Sequence, residues 1–152
     1  MEVVTAEYAE LKKYAVDFFV LLAFKKEFEK TISALSSLEK ERCIEQGKKT
    51  DFDGEIGKIF IVETKGKSYK NIIVCGAGEA DGINPEKIRR SIGFGVKLAK
   101  IVGGGSVAVV CPVVKNILLD HIGDMVSEAV ILADYSFEKY KSKKSRIGKI
   151  IK

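Results

Sequence analysis

Gly76 and Gly78 follow an apolar run, Asn71–Cys75, and precede Asn84-Pro85, a helix start. Glycines between a strand and a helix are where backbone N–H groups can cradle a pyrophosphate. The spacing fails on detail. The third glycine of the dinucleotide fingerprint would fall on Asp81, whose carboxylate repels phosphate, and the residues from Glu79 to Ile83 separate the pair from the helix cap. A tight turn is the preferred reading. Gly103-Gly104-Gly105 is a second glycine cluster, but it precedes a strand, so no helix dipole points toward it. It reads as a flexible helix exit.

The side chains that could act as nucleophiles, acids or ligands are scattered. His121 is the only histidine, and it lies among Leu118, Ile122 and Met125 with no Cys or Ser partner nearby, which favours a structural role. Cys43, Cys75 and Cys111 form no Cys-x-x-Cys, so the usual nitrogen and sulfur ligands of a zinc site cannot be assembled. Two of the three cysteines sit in apolar runs, where a reduced thiol behaves as a small hydrophobe and suits the cytoplasm. Asp51 with Asp53, and Asp120 with Asp124, could be drawn as acid and base, yet both pairs fall at polar turn or helix-surface positions. Neither a nucleophile elbow nor a Walker loop is present. No catalytic, cofactor-binding or metal-ligating residue is assigned between Met1 and Lys152.

Charge offers one further hint. The net charge is +5, but residues 139–152 carry seven of the 26 basic residues and none of the acidic ones, leaving 19 basic against 21 acidic elsewhere. Basicity therefore belongs to a tail. Tyr135, Phe137 and Tyr140 interleave with Lys139, Lys141, Lys143 and Lys144 as a single-stranded nucleic-acid platform would. The preferred reading is that the rings close the core below the last helix while the lysines stay solvated.

These residues need a scaffold, and the patterning predicts one domain. A chain of 152 residues can bury roughly 70% of its unfolded surface. Its 46% hydrophobic and 31% charged residues are ordinary globular composition. The longest apolar run, Phe18–Phe24, falls well short of the ~20 residues of a membrane span, and the first residues lack signal-peptide order. A short opening strand is expected over Glu2–Ala6 and a buried one over Tyr14–Ala23. Phe28, Ile32, Leu35 and Leu38 recur with helical spacing and predict a helix on the sheet; Glu39–Asp53 is polar and gives no assignment. Lys58–Thr64 and Lys70–Cys75 should form a hairpin in which Gly66 supplies unusual dihedrals. Asn84-Pro85 should cap a helix with the stripe Ile88, Ile92, Val96 and Ala99. A strand over Val107–Cys111 follows, stopped by Pro112. Leu118, Ile122, Met125, Val126, Ala129 and Ala133 then mark a last helix, and Ile147, Ile150 and Ile151 begin another apolar strand. The alternation predicts a three-layer α/β/α fold with a mixed sheet.

Three segments, taken in order, resemble the amino-terminal domain of the leucine aminopeptidase (cytosol aminopeptidase) family. Phe52-Asp53-Gly54-Glu55-Ile56-Gly57 is similar to the family's Phe-x-Gly-x-x-Gly turn. Asn71–Glu79 resembles its strand ending in Gly-Leu-Gly, with Ala77 at the leucine position. Tyr135-Ser136-Phe137-Glu138-Lys139-Tyr140-Lys141-Ser142 resembles its Tyr-x-Phe-x-x-Tyr-Lys-Ser segment. The resemblance spans about residues 15–145 and implies a macro-domain-like fold. It implies a domain over 1–145, with 146–152 starting a linker to an absent catalytic domain. The parent would be a cytoplasmic hexamer that releases amino-terminal residues from peptides with two divalent metals, zinc or manganese. The family's metal-binding Asn-Thr-Asp-Ala-Glu-Gly-Arg motif has no counterpart here, so metals and activity belong to the absent domain, and a role in assembly or substrate access is left to this one. Two other readings are a free-standing macro-type module binding ADP-ribose or a related nucleotide, and nucleic-acid binding through the basic tail.

Overall fold

The computed structural model describes residues 15–66, 68–103, 105–110 and 114–135 (Leu119 by its backbone alone), together with the backbone of 3–4 and 147–151. The described residues form, in chain order, β1 (Val3–Val4), β2 (Val16–Ala23), α1 (Phe28–Thr31), α2 (Ser37–Lys49), β3 (Ile59–Glu63), β4 (Tyr69–Gly76), α3 (Pro85–Val102), β5 (Gly105–Val109), α4 (Leu119–Asp134) and β6 (Ile147–Ile151). They form one sheet in the order β1-β6-β5-β2-β4-β3. Only the β3–β4 pair is antiparallel. The expected mixed sheet and three layers are therefore present.

β2 explains the layering. Its residues are buried on both sides, as a central parallel strand requires. Phe18, Val20 and Leu22 face α3 and α4, whereas Phe19, Leu21 and Ala23 face α1 and α2. The α3 stripe predicted from spacing is fully buried at Ile88, Ile92, Val96 and Ala99. Asn84 begins α3 as expected, its Oδ1 accepting from the Lys87 amide at 3.0 Å with Pro85 in the first turn. Gly95 lets this helix approach the sheet, since a Cβ there would stand 2.7 Å from Cys75 Sγ.

Several expectations require correction. The single helix expected through Phe28–Leu38 is two helices, because Ser36 and Glu39 form a capping box that starts α2 afresh. The Ser36 amide donates to Glu39 Oε2 at 3.0 Å, and Leu38 is exposed. α2 thus occupies the polar stretch that carried no assignment. It is held by buried Cys43 and by Arg42, which donates to the Glu63 carbonyl at 3.0 Å. The hairpin is present, but Gly66 does not take a positive φ. Thr64 shapes this turn instead, its hydroxyl donating to the Tyr69 carbonyl at 2.6 Å and accepting from the Gly66 amide at 3.3 Å. Leu118 precedes α4 and is exposed. β5 ends at Val109, and Cys111, Pro112 and Tyr14 lie outside the described residues. Ile147–Ile151 is the apolar strand expected there, and it pairs between β5 and β1 in this same sheet.

Candidate functional site

In an open α/β sheet, ligands bind outside the carboxyl ends of the parallel strands, near the point where strand order reverses. Here that point lies at β2, which is flanked by β4 and β5. Three segments meet at this edge: Phe24–Glu27 after β2, Phe52–Gly57 before β3, and Ala77–Ile83 after β4.

Backbone bonds close the edge. The Gly76 amide donates to the Lys58 carbonyl at 2.8 Å, Ala77 to Ala23 at 2.9 Å, and Gly78 to Gly54 at 2.8 Å; Lys25 donates back to Gly78 at 2.9 Å. All three amides of the Gly-Ala-Gly turn therefore point at protein carbonyls and not into a cleft. Glycine is needed where the segments touch. A Cβ on Gly54, which has φ +83°, would stand 2.9 Å from the Lys25 amide nitrogen, and one on Gly76 would stand 2.7 Å from the carbonyl carbons of Gly54 and Glu55. Phe52 anchors the intruding loop, its ring 5.0 Å from Phe60 and 5.6 Å from Phe28. The tight-turn reading of Gly76 and Gly78 is the one the geometry supports.

Charge at the edge is mixed. Lys25 Nζ forms an ion pair with Glu55 and lies 3.8 Å from Glu79. The hydrogen bond that Lys25 donates to the Glu55 carboxylate raises the Lys25 pKa above its ordinary value. Asp53 accepts from the Glu55 amide at 3.0 Å, which lowers its carboxyl pKa, with Lys58 3.8 Å away. A carboxylate held by a local amide is a turn former, not a general base. Glu55 and Glu79 also present negative charge where a phosphate would need the opposite.

The other singled-out residues do not converge. His121, Asp120 and Asp124 are exposed on α4, and Asp51 is an exposed loop residue with φ +49°. Cys43 and Cys75 are free and buried, and burial pushes their thiols up to about 11 and about 12. Such thiols are poor nucleophiles. Among the described residues, no group of three or more His, Cys, Asp or Glu could hold a metal ion. Phe137, Tyr140, Gly104 and the lysines of the basic tail lie outside the described side chains.

A second charged cluster, not anticipated from sequence, sits at the opposite edge. Asp17 Oδ1 pairs with Lys70 Nζ at 2.6 Å, while its Oδ2 accepts from the Ser106 amide at 3.1 Å and hydroxyl at 3.2 Å. It bridges β2, β4 and β5. Gly105 (φ +106°) makes room for it, since a Cβ there would be 3.0 Å from Asp17 Cγ. This arrangement is a structural clasp.

Fold and edge together define a macro-domain-like α/β/α domain whose ligand edge is filled by its own loop. Residues 20–144 match the cytosol aminopeptidase family, N-terminal domain, and the chain belongs to that family. A probable cytosol aminopeptidase of Clostridium perfringens (strain 13 / Type A) is 38% identical over 98 residues, a match covering 64% of this chain and 20% of the relative. The chain thus spans about a fifth of that relative's length. A tomato leucine aminopeptidase mutant has the same fold, with a TM-score of 0.75 at 15% identity, over 99% of this chain and 32% of the tomato protein. So does a mutant Oceanobacillus iheyensis macrodomain with ADPR, with a TM-score of 0.65 at 12% identity, over 98% of this chain and 81% of the macrodomain.

Proposed function

We propose that this chain is the non-catalytic amino-terminal domain of a longer cytosol aminopeptidase. The match over residues 20–144 to that family's N-terminal domain is the observation that carries the reading. In the parent, catalysis would belong to a following domain that holds two divalent metals, zinc or manganese, which activate water and bind the substrate amine. Within a cytoplasmic hexamer, this domain would support assembly or shape substrate access without contributing a group to the chemistry, as a separately folded unit can through its interfaces. No helix among the described residues is long and apolar enough to cross a membrane.

The macro-type alternative rests on likeness of fold. Against it stand the occupied amides of Gly76, Ala77 and Gly78 and the carboxylates of Glu55 and Glu79. Reading the gene beyond codon 152 tests the proposal. An open frame encoding a carboxylate- and lysine-rich domain with an Asn-Thr-Asp-Ala-Glu-Gly-Arg motif is expected. A stop codon directly after Lys152 would end this reading and leave an independent binding module.

A further inference from the structure

The two helical layers differ in what they show to solvent. Among the described residues, eight large hydrophobic side chains are exposed, and only Leu38 belongs to the α1–α2 layer. Leu118 lies just before α4. The other six, Phe94, Ile101, Val102, Ile131, Leu132 and Tyr135, belong to the second halves of α3 and α4 or directly follow α4. Ile101, Leu132 and Tyr135 are 82%, 69% and 72% exposed. Phe94, Lys97 and Ile101 share a helix face by their spacing of three and four. Lys100 clamps the two helix ends, its Nζ 2.7 Å from the Asp134 carbonyl. Between the helices, Phe94 and Leu132 line an open groove of about 360 Å³. Scattered apolar residues are normal on a surface, but here six of the eight gather on two neighbouring helices or directly after one of them, and such a concentration marks an interface.

The charged lining of the groove is mainly positive, with Arg89, Arg90 and Lys97 against Glu86. Arg89 is satisfied by Glu128 at 2.9 Å, but Arg90 and Lys97 have no ion-pair partner among the described residues. An apolar floor with unpaired cations at its rim fits a surface that is apolar at its centre and acidic at its edge.

We propose that this α3–α4 face is where the remainder of the same polypeptide docks, an inference that rests on the reading of the chain as one domain of a longer aminopeptidase. The matched region is only 20% of the Clostridium perfringens relative, so most of such a polypeptide is available to cover it. A tethered domain is present at high effective concentration and can use a modest patch, whereas a stable complex of separate chains buries about 800 Å² on each partner. The α1–α2 layer, with one exposed large apolar residue, offers no comparable surface.

Cysteine footprinting of the full-length gene product tests this. Ile101→Cys, Leu132→Cys and, as a control on the other layer, Leu38→Cys are made singly in a Cys111→Ser background and labelled with a maleimide; Cys43 and Cys75 are buried and serve as internal references. Because these sites are exposed in the isolated fold, docking is expected to slow I101C and L132C labelling at least about tenfold relative to L38C, and denaturant should equalise the rates. Equal native rates in a full-length enzyme would overturn the docking inference while leaving the domain assignment standing. Protection that disappears on dilution would assign the face to a second copy and overturn it too. Absence of any coding sequence past codon 152 would remove the underlying reading instead.

Discussion

Gly76 lies so close to Glu55 that a Cβ built on it would overlap the Glu55 carbonyl oxygen and stand 2.7 Å from the carbonyl carbon. This contact seats the Phe52–Gly57 loop on the end of β4. Neither backbone can retreat without breaking the Gly76-to-Lys58 and Gly78-to-Gly54 hydrogen bonds. Gly76→Ala is therefore expected to destabilise the domain by about 2–3 kcal/mol, the scale of overpacking against unyielding atoms. Urea denaturation measures it, and an unchanged midpoint would mean that the loop is not seated there.

Gly95 sets two effects against each other. Alanine is favoured over glycine inside a helix by about 1 kcal/mol, while forcing a methyl against Cys75 Sγ (2.7 Å) and Val20 Cγ1 (2.8 Å) costs about 1–3 kcal/mol. The steric cost should win, so Gly95→Ala lowers stability. Adding Val20→Ala should recover part of the loss in a double-mutant cycle. Strict additivity of the two changes would argue against the contact.

Asp17 carries a pH dependence of known sign. The hydrogen bond from Lys70, then that from the Ser106 amide, lowers its pKa below the ordinary 3.8. A carboxyl whose folded-state pKa is depressed adds stability above its unfolded pKa and loses it as pH falls through the folded value. Asp17→Asn should cost about 1–2 kcal/mol near neutral pH, the scale of charge-assisted hydrogen bonds discounted for the exposure of Lys70. The gap between variant and wild type should narrow below pH 3.8. Urea midpoints from neutral pH down to about pH 3 would show this, and a gap independent of pH would refute the clasp.

Occupied amides at the Gly76–Gly78 turn predict that ADP-ribose does not bind. A ligand at a hundred times its Kd would stabilise the fold by about 2.7 kcal/mol, a clear thermal shift. None is expected on titration into the millimolar range. A saturable shift would show that the Phe52–Gly57 loop opens and would restore the macro-type reading.

Local chemistry made part of this legible in advance. Asn84-Pro85 carries its own capping logic, and the α3 stripe follows from helical spacing, so both could be read residue by residue. Phe28, Ile32, Leu35 and Leu38 fit one helix equally well, but the capping box at Ser36 and Glu39 interrupts it. That signal was present as Ser-x-x-Glu and was masked by the apolar spacing across it. α2 escaped notice because it buries little beyond Cys43 and Gly47. The closed edge was half legible: glycine spacing excluded the fingerprint, but the seating of Glu55 on Gly76 joins positions 21 residues apart and depends on tertiary packing. The Asp17–Ser106 clasp spans 89 residues and left no local trace.

The most direct test compares hydrolysis of leucine p-nitroanilide, with manganese or zinc supplied, by this 152-residue chain and by the full-length product of its gene. The account predicts no hydrolysis above buffer by the chain alone and metal-dependent turnover by the full-length protein. Turnover by the chain alone, or none by the full-length protein, would contradict it.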